Sequence, residues 1–447
     1  MAIVDQSVRW FRKLFSKSQA KDVFWLLDYL LILGGTYHRP RGVWRITIWY
    51  LYQLLSVFQC CLQILIVVSN LNSLQDQTST IWSAISLLAM TLCYVKQLLL
   101  WRYRESINNL RTFITGSRFC SGNPSYDEAL RSKFSRVSQQ MVVAILALIL
   151  LDEVFIAAPS SLRTRWFGIP QWFYSYGYGT ALAIELAFYP FFALIWVSKL
   201  FCGSATVAIV LLGLRTELQI LTQYYGRLTR CLQMELSLGP FLFYDRYQKS
   251  PRIRSLFWDQ LRLRLGVAVQ RHVQLLENLQ SLQVLFEKIF FLIYYQSIIA
   301  AGAISYVIIR DEFSLCSVAV LTCMSISVLE CYWWCHLVDT FQDVNETISR
   351  HLLNQCCQLP YSDDHHVDYV EMRTSLLIIA GRSRQSVGFS CCGIFKISTA
   401  MFANLLNICY SVLMFLVNVG DGVKPVAQLQ AWIGSVVDSG KNYFIQG

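Results

Sequence analysis

Seven blocks of roughly twenty consecutive apolar residues, each the length that carries a helix across bilayer hydrocarbon, constrain this chain more than any other feature. Lipid tails offer no partner to backbone N–H and C=O groups, so a spanning segment has to be a helix or part of a closed barrel. Barrel strands would alternate apolar and polar residues in runs of about ten. No such alternation occurs, and the sequence predicts an all-α membrane protein of seven transmembrane helices. Composition agrees. Of 447 residues 15% are charged and 55% hydrophobic, against about 25% charged in a soluble domain.

The predicted spans are, approximately, Trp44–Ser69, Ile81–Leu100, Met141–Ala158, Gly179–Val197, Ile289–Ile309, Phe313–Trp334 and Ser390–Val417. Gly122, Asn123 and Pro124 mark a turn before the third, and Pro190 is placed to kink the fourth. An aromatic loop with Trp166, Trp172, Tyr174, Tyr176 and Tyr178 precedes the fourth, as rings at headgroup level do. Between spans four and five, residues 199–288 keep three- and four-residue apolar spacing among charges (Leu211, Leu214, Leu218, Leu221; Leu261, Leu265, Val269, Val273, Leu276). That is the period of amphipathic helices, read here as cytoplasmic extensions of the two spans, broken near Gly239–Pro240 and Pro251. The partition is therefore a cytoplasmic N-terminal segment (1–43), one seven-helix domain (44–418) and an extracellular tail (419–447).

Lys and Arg flanking the spans set sidedness. With the N-terminus in the cytoplasm, 29 of them fall on the cytoplasmic side and 5 on the other, the remaining 4 lying at or within span ends. Leaving out the long 213–288 segment, the count is still 18 to 5. This predicts N-terminus in and C-terminus out, the reverse of a seven-helix G-protein-coupled receptor. The same bias explains a net charge of +10 without a nucleic-acid partner. The N-terminal segment is too charged for the apolar core of a signal peptide. Fifteen cysteines without a CxxC pair, most inside apolar blocks, predict free thiols.

The C-terminal third, RSRQSVGFSCCGIFKISTAMFANLLNICYSVLMFLVN (Arg382–Asn418), resembles insect odorant receptors: an Arg/Gln-rich step, Gly-x-Phe leading into an apolar helix, and Tyr-Ser near its middle. RHVQLLENLQSLQVLFEKIFFLIYYQS (Arg271–Ser297) and LRTELQILTQYYGRL (Leu214–Leu228) are similar to the family's entrance to span five and exit from span four. The ordered set carries the resemblance. Cys409–Tyr410–Ser411 without a following Gln favours the odorant branch over the gustatory one. Two departures stand out: Ser386 where the family commonly has Pro, and nearly thirty residues after the last span.

The resemblance implies a tuning subunit of an odorant-gated cation channel in the plasma membrane. It would assemble with a shared odorant co-receptor as a heterotetramer and answer to a volatile small-molecule odorant. The last helix would line the pore, with Tyr410 near its middle and, after it, Leu413, Leu416 and Val417 at the family's gate and constriction positions. Apolar rings there can close a pore by dewetting. The odorant pocket would lie in the outer halves of spans two, three, four and six, where the apolar lining such pockets need is offered by Trp82, Ile85, Leu151, Phe155, Tyr178, Ala181, Phe188, Cys316 and Val320. Each of these is equally a residue of plain helix packing.

A carboxylate in mid-bilayer costs about 2.5–3.5 kcal/mol and so faces a cavity or partner. Glu185 of span four reads either as a pocket acceptor or as a structural hydrogen bond. Asp152 and Glu153 sit nearer the outer interface, where solvation and cation attraction are both open. Asp363–His366 and Cys331/Cys335/His336 contain metal-ligand residue types, but a solvated loop and helix packing respectively explain them, and no metal or cofactor is expected. No glycine loop, HExxH or GxSxG motif suggests an enzyme. Two alternatives stay open: a gustatory-type receptor for a more polar ligand, and a secondary transporter, which would want inverted repeats this sequence lacks.

Overall fold

A computed structural model describes residues 23–36, 43–73, 77–116, 119–158, 163, 166, 169, 171–237, 240–310, 315–384 and 388–420. Much of the predicted N-terminal segment and nearly all of the tail lie outside the described residues. Among these residues there are twelve α-helices: α1 Trp25–Leu33, α2 Val43–Ser73, α3 Gln77–Arg102, α4 Arg104–Gly116, α5 Pro124–Ala157, α6 Tyr178–Phe188, α7 Phe192–Ser237, α8 Pro240–Lys249, α9 Pro251–Arg310, α10 Leu315–Gln358, α11 His366–Arg384 and α12 Thr399–Gly420. Seven stretches are long and apolar enough to cross a membrane: α2, α3, α5, α6 with α7, α9, α10 and α12. Each overlaps one of the seven predicted blocks, and the chain is a multi-pass membrane protein.

Four helices are much longer than a bilayer. At 1.5 Å per residue, the 60 residues of α9 run about 90 Å, roughly three times the hydrocarbon thickness. The excess of α5, α7, α9 and α10 is packed together with α8 and α11, and a single apolar core runs through it. Leu211, Leu214, Leu218 and Leu221 of α7 are all buried there, as the spacing predicts. On α9 the buried stripe is Leu261, Leu265, Ala268, Leu275 and Leu279, while Val273 is exposed. Strict four-residue steps overshoot a 3.6-residue turn by about 40° each, so a series that begins on the core face leaves it within a few turns. The extension is also joined by buried charge. Glu217 of α7 pairs with Arg131 of α5 (3.1 Å) and Arg271 of α9 (3.0 Å), and the Arg271 guanidinium covers the Phe113 ring of α4 at 4.1 Å.

At the bundle's centre is the fourth span: 89% of its most apolar stretch is buried, against 11% for α12 at the periphery. Pro190 breaks this span into α6 and α7 through a 3₁₀ turn at Tyr189–Phe191. A broken helix leaves orphan carbonyls and N–H groups that lipid cannot satisfy. Two neighbours supply partners. The Gln59 amide of α2 donates to the Ala187 and Phe188 carbonyls (3.4 and 3.2 Å), and Glu153 of α5 accepts from the Leu194 N–H (2.9 Å). Gln59 Oε1 in turn accepts from the Trp196 indole (2.9 Å).

The last span starts later than its hydropathy predicts. Residues 390–398 are not helical. Ser390 and Lys396 form an isolated antiparallel bridge around a turn in which Cys392 and Gly393 take φ of 49° and 80°. Apolar composition continues through the turn, so hydropathy could not place the boundary; the left-handed pair does. A second feature absent from the sequence reading is α1, whose Leu26, Leu27, Leu30 and Leu31 are buried against α5 and α7.

Candidate functional site

Five spans line a cavity of about 150 Å³. Its wall is made by Trp82, Ile85 and Met90 of α3, Asp152 and Ile156 of α5, Phe192 and Trp196 of α7, Gln296 and Ile304 of α9, and Val320, Cys323 and Met324 of α10, among others. The Pro190 break positions the α7 wall, because Phe192 and Trp196 stand on the first turns after it. The Trp82 ring of the wall stacks on Trp166 of the third loop at 4.9 Å.

The lining is apolar except at a few points. Asp152 is fully buried; its Oδ2 accepts from the Cys323 thiol at 2.9 Å, and its Oδ1 has no hydrogen-bond partner. Gln296 Oε1, also buried, has none either. The Ser327 hydroxyl is spent on the Cys323 carbonyl (3.0 Å). A larger groove of about 590 Å³ between α5, α7 and α10 contains none of the residues predicted for the pocket.

Of the predicted pocket residues, Trp82, Ile85 and Val320 line the cavity. Ala181, Phe188 and Cys316 do not reach it, but are buried in one apolar cluster with Trp82 and Val320. Leu151 and Phe155 lie off the wall, Leu151 exposed and Phe155 packed on the larger core. Span three presents Asp152 and Ile156 instead, one residue or about 100° further round the helix. Hydropathy cannot fix that phase, since lipid and cavity faces are equally apolar. The adjacent carboxylates Asp152 and Glu153 could have indicated it, because intramembrane charges turn inward. Tyr178 is 76% exposed. Glu185 also stays outside the lining, accepting a 2.6 Å hydrogen bond from the Tyr174 hydroxyl. Span five, absent from the predicted set, adds Gln296, Ile299, Ala300 and Ile304.

On α12 the predicted pore residues divide. Leu413, Leu416 and Val417 pack against the same cluster as Trp82 and Val320. Tyr410 is 64% exposed and belongs to a bare stripe with Ala403, Leu406, Asn407, Met414 and Asn418. Of the metal-ligand types, Asp364 pairs with Arg254 (2.7 Å), His365 with Asp368 (2.9 Å), and Cys331 and Cys335 are buried. Among the described residues no group of three or more His, Cys, Asp or Glu is gathered for a metal. All fifteen cysteines are free.

No protein-family model matches the sequence, and no curated protein matches it. Solved structures do match the fold. The insect olfactory receptor OR5 from Machilis hrabei in complex with eugenol superposes with a TM-score of 0.63 at 10% identity, over 88% of this chain and 98% of that one. A second structure of that receptor gives 0.62 at 12% identity, over 92% and 98%. The chain has the insect odorant-receptor fold over about nine-tenths of its length.

Proposed function

We propose that the protein is a tuning odorant receptor: a subunit of an odorant-gated, non-selective cation channel formed with the shared co-receptor as a heterotetramer in the plasma membrane. The observation that carries this reading is a mostly apolar cavity between α3, α5, α7, α9 and α10 within a fold whose solved relative binds eugenol, a small aromatic. A cavity of about 150 Å³ is the size that admits benzene.

The last helix supplies the ion path. Its stripe of Asn407, Tyr410 and Asn418 beside Leu406 and Met414 is exposed in the single chain. Two amides and a phenol are chemistry for water or a partner subunit rather than for lipid tails. Gating couples to the cavity through Leu413, Leu416 and Val417, which touch the cluster that shares Trp82, Ile304 and Val320 with the cavity wall.

Co-expression with the odorant co-receptor tests the assignment: odorants should evoke a cation current that requires both chains. Substrate-coupled uptake by this chain alone would instead favour a transporter. Cysteines introduced at 410, 414 or 418 should be modified by a hydrophilic thiol reagent applied to open channels, with block of current. Cysteines at 413, 416 or 417 should react little. The reverse pattern would return the pore to the inward-facing residues.

A further inference from the structure

Resting on the cavity being the ligand site, we propose that it binds a small apolar amine, and that the Asp152 carboxylate pairs with the ligand's ammonium group. Asp152 is 0% exposed, has one oxygen occupied by the Cys323 thiol at 2.9 Å, and leaves Oδ1 without a partner on the cavity wall. Gln296 contributes a second unpaired acceptor, Oε1, from α9. Among the described residues no Lys, Arg or His lines the cavity. The two buried lysines of the neighbouring helices are turned elsewhere: Lys199 Nζ donates to Gln97 Oε1 (3.0 Å) and the Gly34 carbonyl (3.4 Å), Lys96 Nζ to the Leu200 carbonyl (3.4 Å).

The cavity thus offers acceptors, one of them a carboxylate with no counter-charge. A buried polar atom left unpaired is costly, and an unpaired buried charge more so. A hydrocarbon ligand satisfies neither oxygen. A hydroxyl donates one hydrogen bond and leaves the charge uncancelled. An ammonium group donates up to three, cancels the charge, and does so where low dielectric strengthens the attraction. The remaining wall, Trp82, Ile85, Phe192, Ile304 and Val320, takes an apolar body of about benzene size.

The test uses the full chain in lipid nanodiscs and three probes of one shape: benzylamine, benzyl alcohol and toluene. Direct binding should favour benzylamine over benzyl alcohol by about tenfold or more, the ~1.4 kcal/mol of one decade. In Asp152→Asn the two should bind within about twofold of each other, with toluene unchanged. Equal binding of amine and alcohol by the unmodified chain, no binding of any probe, or a preference that survives Asp152→Asn overturns the proposal. The unmodified chain decides by itself if the variant does not fold. Binding of benzylamine without odorant-evoked current in co-expressing cells would defeat the channel reading and leave the ligand class standing; current evoked by neutral odorants alone would do the opposite.

Discussion

Gln59 is buried on α2, holds the Ala187 and Phe188 carbonyls and receives the Trp196 indole, so one amide closes three polar groups at the broken fourth span. Gln59→Leu keeps the volume and strands all three. At about 1–3 kcal/mol for each buried unsatisfied group, the variant should unfold several degrees lower in detergent, which a thermal melt will read; an unchanged melt would mean the break is held by something else. His272 is a second single-residue case. It lies on the extension of α9, well before the apolar stretch at 289–309, against the Tyr225 ring, and burial pushes its imidazole down to about 4. Between roughly pH 6.5 and 4 the unfolded chain takes up a proton that the folded one refuses, so this residue's contribution falls as pH drops through that window. His272→Gln should flatten the dependence of melting temperature on pH between 6.5 and 4 relative to the unmodified protein. The sequence showed Gln59 as one polar residue in an apolar block and His272 as one in an amphipathic helix. Neither partner was visible, because each comes from a helix more than forty residues away.

Elements were more legible than their faces. Block length alone located all seven spans, and Pro190 located the break, because backbone satisfaction in lipid leaves no other solution. Facing directions failed on span three, where Leu151 and Phe155 stand off the wall that Asp152 and Ile156 form. The contact between α9 and α12 depends on a small residue of the kind that lets membrane helices close up. A Cβ at Gly302 would come within 2.4 Å of Val412 Cγ1 and 2.9 Å of its Cβ. Gly302→Leu therefore has to push α12 outward, and Leu413, Leu416 and Val417 with it. In co-expressing cells that displacement should alter gating, as constitutive current or loss of the odorant response, while surface labelling stays near normal. A variant that gates normally would show that α12 is not held by this contact.

At the scale of the whole molecule, the long helices and the basic residues point to one orientation. The segments that run past the bilayer length in α5, α7 and α9 carry the Arg131–Glu217–Arg271 cluster, and Arg254 and Arg262 of α9 pair with Asp364, just before α11, and Asp368 of α11 (2.7 and 3.0 Å), groups that need water or one another. The buried helix α1 packs on two of these helices, which ties the N-terminal part of the chain to them. The 29-to-5 excess of Lys and Arg predicts that this end is cytoplasmic. With seven crossings, the two termini face opposite compartments. An epitope inserted at residue 2 should be invisible to antibody on intact cells and appear on permeabilisation, whereas one after Gly447 should label intact cells. Labelling of residue 2 from outside would invert the molecule, put the projecting helices in the extracellular medium and turn the Trp82–Trp166 stack toward the cytoplasm, where no airborne ligand arrives.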